Sequence, residues 1–300
     1  MEEKHKLAEE LNLAQSLQIL ATAYEEISVM KMRIARDSVL HTRDFLSALS
    51  EVFINVKSSY LKKQKNEHNK GKDSTDVLQF STHKTNGQKV FVLLSATNKL
   101  YGDIVYKTFQ LFKNSLQKPE EVAIVIVGKT GKEMYTAAFP QKKYTYFDLP
   151  DIVPNVETLK PIISYILQYE HVTIFYGRFV NVVTQEAIAS SISGDEPLKN
   201  AEENGDTHIL DQQKYGFIFE PSLETLLNFF ETQIFSSLFK QTIAEEELAR
   251  LASRIKAMEQ AIVFINTRID GLTTAQRRAK RQMENAKQLE RVAGISLWKK

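Results

Sequence analysis

Gly128-Lys129-Thr130 invites a phosphate-binding reading, because a glycine turn followed by lysine and a hydroxyl can cradle an anion. The phosphate loop itself needs GxxxxGK[ST]. Its first glycine would fall on Ala123, inside an apolar run, and no clear helix follows at once, so that chemistry is set aside. A dinucleotide fingerprint GxGxxG and a GxSxG nucleophile elbow are both missing. The six histidines, at positions 5, 41, 68, 83, 171 and 208, are scattered without metal-ligand spacing and read as ordinary surface or core residues. With no cysteine, disulfides, thiolate metal sites and thiol catalysis are excluded, and a reducing compartment fits. By itself the chain reads as no enzyme, with no cofactor and no metal site. What remains is charge. The chain carries a net charge of only +2, yet residues 250–300 hold twelve Lys/Arg against four acids, a local balance of +8. Within that stretch Arg277, Arg278, Lys280 and Arg281 form a tight basic tract, for which Lys31 and Arg33 are candidate companions on a facing helix. Such a surface suits an acidic protein face, nucleic acid or anionic lipid, and also reads as a solvated helix face; charge does not choose among them.

The element that must carry this tract is a long helix. After Pro221 the chain has no proline, and Leu248, Leu251, Ile255, Met258, Ile262, Ile265, Ile269 and Leu272 recur at alternating steps of three and four. That is the narrow a/d seam of a coiled coil, which needs a long partner. Beyond Leu272 it continues weakly through Gln276, Ala279, Met283 and Ala286, among basic residues. Gly271 is a weak point that marks either a bend or a close crossing. The first 60 residues lack both proline and glycine and carry Leu7, Leu11, Ala14, Leu17, Leu20, Tyr24, Ile27 and Ile34 at helical steps, so the two ends of the chain can pair.

Between them the pattern changes. Polar, charged segments at 62–76 and 194–207 read as surface loops. Val90–Leu94, Val122–Val127, Val172–Tyr176 and Ile209–Phe219 read as strands, and Phe179–Ile192 as a further extended region. Helices are expected through Ile104, Phe109 and Phe112 and over Pro154–Gln168, with Gly128–Gly131 a turn. The fold class is therefore α/β: a long antiparallel coiled coil of N- and C-terminal helices (1–60 and 222–296) with an inserted Rossmann-like domain at 77–220. A hydrophobic content of 43% suffices for a core, while no run of about 18 apolar residues suggests a membrane span. The acidic start, with Glu2, Glu3, Glu9 and Glu10, does not read as a targeting segment.

Several segments, in order, resemble one family. Residues 23–35 (AYEEISVMKMRIA) are similar to the signature AMEMVAAAKLRRA, with Ala23, Glu25, Lys31, Arg33 and Ala35 identical. IVIVGKTG at 124–131 resembles a strand ending in GKKG, and YGRF at 176–179 followed by Gln185 resembles YNxF…Q. Glu220-Pro221-Ser222-Leu223, Leu226-Leu227, Gln233-Ile234 and Leu238 are similar to EPS…LL…QIY…L, and Arg254, Ala257-Met258 and Ala261 to ARMMAMxxA. These motifs, in a helix–α/β–helix frame, belong to the gamma subunit, or central stalk, of rotary F-type ATP synthases. The chain departs from that pattern where GLCG becomes KLYG at 99–102 and where ASE becomes Leu248-Ala249-Arg250, a charge reversal. YNxARQA also becomes QRRAKRQ at 276–282.

The resemblance implies a non-catalytic subunit of a proton-transporting ATP synthase. Its two helices would form a coiled coil inside an α3β3 hexamer, with the α/β domain as a foot on an epsilon-type subunit and a membrane c-ring. ATP, ADP and Mg would sit on the partner subunits, and rotation would couple ion flow to ATP synthesis or hydrolysis. It further implies a peripheral location on the cytoplasmic face of a bacterial plasma membrane, with no nucleic acid bound. Two other readings stand beside it: a gamma-like stalk of an ATPase not coupled to ion transport, and a free coiled-coil scaffold or nucleic-acid-binding protein.

Overall fold

The computed structural model describes residues 2–67, 87–117, 121–150, 156–191, 220 and 223–297. Two long helices, α1 (Glu2–Glu67) and the C-terminal α5 (Leu223–Leu297), bracket a sheet with shorter helices. The chain divides into two compact units, one of residues 31–253 and one of residues 1–30 with 254–300.

In the larger unit, β1 (Lys89–Leu94), β2 (Val122–Val127), β3 (Thr145–Phe147), β4 (His171–Phe179) and β5 (Gln185–Ser191) form a sheet in the order β3-β2-β1-β4-β5. β1, β2, β3 and β4 are parallel, with Val90 opposite both Ala123 and Val172. β5 runs antiparallel to β4, Phe179 facing Gln185. Parallel strands need cover on both faces, which is why, after the exposed Lys89, KVFVLL and VAIVIV are continuous apolar runs rather than alternating. On one face Val90, Val92, Val125 and Ile174 pack with Leu159, Ile162 and Ile166 of α4 (Val156–Ile166) and with Phe235, Phe239 and Ile243 of α5. On the other, Leu93, Ile126 and Phe175 meet Phe109 and Phe112 of α2 (Ile104–Ser115) and Tyr135 of α3 (Lys129–Ala138). There the rings of Phe112 and Phe175 meet edge to face at 5.2 Å.

The structure revises several local expectations. α1 continues to Glu67, so residues 62–67 are helix rather than loop: Lys, Gln and Glu are good helix formers, and polarity does not by itself mean irregular backbone. A helix does follow Gly128 at once. Two glycines three residues apart look like a turn, but Gly128 alone makes it, at φ +97 where a Cβ would collide with the Ser95 carbonyl, and α3 starts at Lys129. β3 went unpredicted, because three residues are too few to show a period. The expected extended region at 179–192 is instead the end of β4, a turn and β5. In that turn the Asn181 Oδ1 accepts the N–H groups of Val183 and Thr184, at 2.9 and 2.7 Å. The expected strand at 209–219 and the loops at 68–76 and 194–207 lie outside the described residues.

Tyr176, buried at the sheet beside α5, has its phenol pushed up to about 12, first by burial and then by the nearby Glu245 carboxylate, with Arg178 opposing. Because that value lies above the ordinary 10 of an unfolded tyrosine, the associated stability is complete below pH 10 and lost as pH climbs toward 12. The urea midpoint should fall through that window, and Tyr176→Phe should flatten the fall; an unchanged slope in the variant would show that another group governs it.

Candidate functional site

In the smaller unit the two long helices lie antiparallel. Arg268 Nη2 stands 2.7 Å from Glu10 Oε2, the Gln18 side-chain amide donates to Asn266 Oδ1 at 2.6 Å, and the Arg254 guanidinium lies 5.7 Å from the Tyr24 ring centroid. As residue numbers rise on α1 their partners on α5 fall. The larger unit repeats the arrangement, with Arg43 at 3.8 Å from Glu245 and Phe53 against Phe230 at 5.9 Å.

Along the C-terminal stripe Ile255 and Leu272 are buried, and Met258, Ile262, Ile265 and Ile269 half-buried. The N-terminal seam differs. Leu20 and Ile27 are 52% and 47% exposed, and Leu13, Leu17 and Ile34 are exposed with them. Leu7 and Leu11 are half-buried and Ala14 is buried, as their stripe would have it, but beyond Ala14 the buried line is displaced by one residue, through Ala21 and Ser28 in the smaller unit and Ala35, Val39, Thr42, Leu46 and Phe53 in the larger. Two parallel stripes of equal period run along α1, and size marks the wrong one. Alanine and serine occupy the contact because they let two backbones approach, leaving the large residues of the neighbouring stripe outside. Tyr24, on the outer stripe, is half-buried and reaches back over Arg254. The signal for the true seam was a small residue at every seventh position: Ala14, Ala21, Ser28, Ala35 and Thr42.

The basic residues are presented outward. Arg277, Arg278, Lys280 and Arg281 are exposed on α5, Lys280 4.0 Å from Glu284, and Arg33 is exposed while Lys31 is half-buried. The tract and the Lys31–Arg33 pair belong to different units; the α1 residue sharing a groove with Arg278 is Leu7. At Gly128-Lys129-Thr130 two of the three amides are already engaged, Gly128 N–H donating to Phe147 O at 3.1 Å and Thr130 N–H to Ala96 O at 2.8 Å. They brace the sheet and leave no phosphate nest. Among the described residues no group of three His, Asp or Glu side chains is placed to hold a metal, and no helix is long and apolar enough to cross a membrane. Nothing lies within 4 Å of a Cβ built on Gly271, which removes a close crossing as its reason.

Two stability outcomes follow from this geometry. Ala35→Leu should overpack the seam and cost about 1–3 kcal/mol, whereas Ile27→Ala should stay within about 0.5 kcal/mol, both by urea denaturation of the full chain. The reverse ranking would restore the outer stripe as the seam. Gly271→Ala, entering open space in mid-helix, should stabilise by about 0.5–1 kcal/mol; a lowered melting temperature would mean that the glycine serves a bend.

The family model described as ATP synthase matches residues 4–293. The ATP synthase gamma chain of Pelotomaculum thermopropionicum is 23% identical over 93% of each chain. That of Rickettsia bellii is 22% identical over 96% of this chain and 97% of its own. Among solved structures, a chain of the Tetrahymena thermophila mitochondrial ATP synthase central stalk and c-ring aligns with a TM-score of 0.54 at 17% identity, covering 81% of this chain and 99% of that one. A chain of the Euglena gracilis mitochondrial ATP synthase gives 0.50 at 15% identity, covering 88% and 93%. The match across residues 4–293 decides the matter: this chain belongs to the gamma-chain family of ATP synthases and has the fold of their central stalk.

Proposed function

We propose that this chain is the rotor stalk of an F-type ATP synthase, turning inside an α3β3 hexamer and coupling ion flow to ATP synthesis or hydrolysis. The observation that carries the reading is the helix pair of the smaller unit. It is closed by a small-residue seam yet leaves Leu13, Leu17, Leu20, Ile27, Val263 and Phe264 exposed. An apolar surface of that extent on a charged helix pair wants a surrounding partner. Two unlike helices also present different faces around their axis, so three equivalent neighbours meet three different surfaces and are biased in turn toward different states.

The chain itself catalyses nothing. ATP, ADP and Mg belong to the partner subunits, and torque is its product. Arg277, Arg278, Lys280 and Arg281, with Lys31 and Arg33, are the cations we assign to acidic loops of the hexamer. Residues 77–220 form the foot, seated on an epsilon-type subunit and a membrane c-ring at the cytoplasmic face of a bacterial plasma membrane, with protons as the transported ion.

Reconstitution with α and β subunits tests this. Adding the chain should raise ATP turnover and bring directional rotation, and replacing the four basic residues of the tract by alanine should lower turnover several-fold at low ionic strength. That difference should shrink as salt screens exposed charges. Failure to associate with α and β, together with tight, salt-steep binding of duplex DNA, would sink the proposal.

A further inference from the structure

Two positions at which this chain departs from the family's segments touch each other. Tyr101 stands in the KLYG segment after β1 and Arg250 in the LAR segment of α5; the guanidinium carbon of Arg250 lies 5.1 Å from the Tyr101 ring centroid. Arg250 Nε stands 2.8 Å from Glu246 Oε2 one turn earlier on α5, with side chains 6% and 5% exposed. At that separation the two opposite charges, both out of solvent, are paired directly. Tyr101 is itself buried, in a cluster with Ala35 and Val39 of α1 and Ala244, Leu248 and Leu251 of α5.

The loop that delivers Tyr101 is unusual on both sides. Leu100 has φ +70, a left-handed conformation rare for a bulky residue, and its own side chain is 55% exposed. Gly102 has φ +64, and a Cβ there would stand 2.8 Å from the Ser253 carbonyl oxygen, so the loop backbone lies directly on α5. A strained, exposed leucine persists only where its surroundings hold the backbone around it. Tyr101 is the buried contact next to it, alongside the Thr97 hydroxyl on the Leu149 carbonyl at 2.8 Å and Lys99 at 3.3 Å from Glu133. A buried i,i+4 pair ties α5 only to itself; it becomes a joint because Glu246 keeps a buried guanidinium in place as a platform for a ring from another element.

We infer that Tyr101, Arg250 and Glu246 form a clamp that locks the β1–α2 loop onto α5 and transmits load between the sheet and that helix. The lock is local and independent of any partner; the load-bearing role rests on the stalk reading above. Arg250 and Glu246 are positioning residues, acting through Tyr101.

Amide hydrogen exchange on the full chain tests the lock. Tyr101→Leu and Arg250→Met should each speed exchange of residues 97–103 roughly tenfold or more, and the double variant no more than about twofold beyond the faster single. Multiplicative effects, or exchange unchanged in both singles, would overturn it. Arg250→Lys keeps the charge but not the planar platform, so it keeps the fold testable if Arg250→Met unfolds; it should still speed exchange at 97–103 while the midpoint of global unfolding holds. For the load-bearing role, the chain has no cysteine, so a single cysteine at exposed Tyr106 of α2 can carry a probe in the reconstituted complex. Arg250→Lys should broaden the probe's angular distribution under load without slowing unloaded ATP turnover, and an unchanged distribution would refute transmission through the clamp. Expected exchange with no rotation by the unsubstituted chain would refute the stalk reading and leave the lock standing.

Discussion

The larger unit depends on one stretch of α5 being covered from several sides at once. Phe235, Phe239 and Ile243 cover a face of the sheet, while Ala244, Leu248 and Leu251 face α1 and the β1–α2 loop. Every residue from Thr242 to Ser253 except Glu245 is buried in consequence. A helix so enclosed has no polar face left for its charges, which explains why Glu246, Glu247 and Arg250 are buried. Buried charges are tolerable only with partners, so this stretch carries ion pairs and arginine–ring contacts where an ordinary amphipathic helix would carry solvent-facing lysines.

The same constraint sets residue size. Ser253 and Ala249 are small where glycines lie against them: a Cβ on Gly102 would stand 2.8 Å from the Ser253 carbonyl oxygen and one on Gly177 3.4 Å from the Ala249 Cβ, so a larger side chain there would push the loop or the sheet away from α5. Along α1 the alternation of small buried and large exposed residues is the counterpart. Small residues bring the helices together, and that close approach leaves the larger ones outside, available to something else. Close packing within the chain and an apolar exterior thus have one origin, which is a fitting combination for a part that must be stiff inside and still be gripped from outside.

Much of this was legible from the amino acids. Long runs without proline or glycine, the 3–4 spacing from Leu248 to Leu272, and the apolar runs at β1 and β2 follow from local rules of helix propensity and burial, and each produced the expected element. The resemblance to the gamma chain was legible too, because it is carried by short motifs in order along the chain.

Sequence alone thus determined that two terminal helices flank an α/β sheet, that one helix carries a narrow seam, and that its tip is basic. Tertiary structure decided which stripe of α1 is inside, since two stripes of identical period differ only in how closely they let a neighbour approach. It decided that Gly128 starts a helix whose amides are spent on Phe147 and Ala96, which depends on strands distant in sequence. It also brought Tyr101 to Arg250, across a separation of nearly 150 residues that no local periodicity spans. The physical reason is common to all three: propensity and period act along the chain, whereas close approach, satisfied backbone groups and paired buried charges depend on what the fold brings alongside.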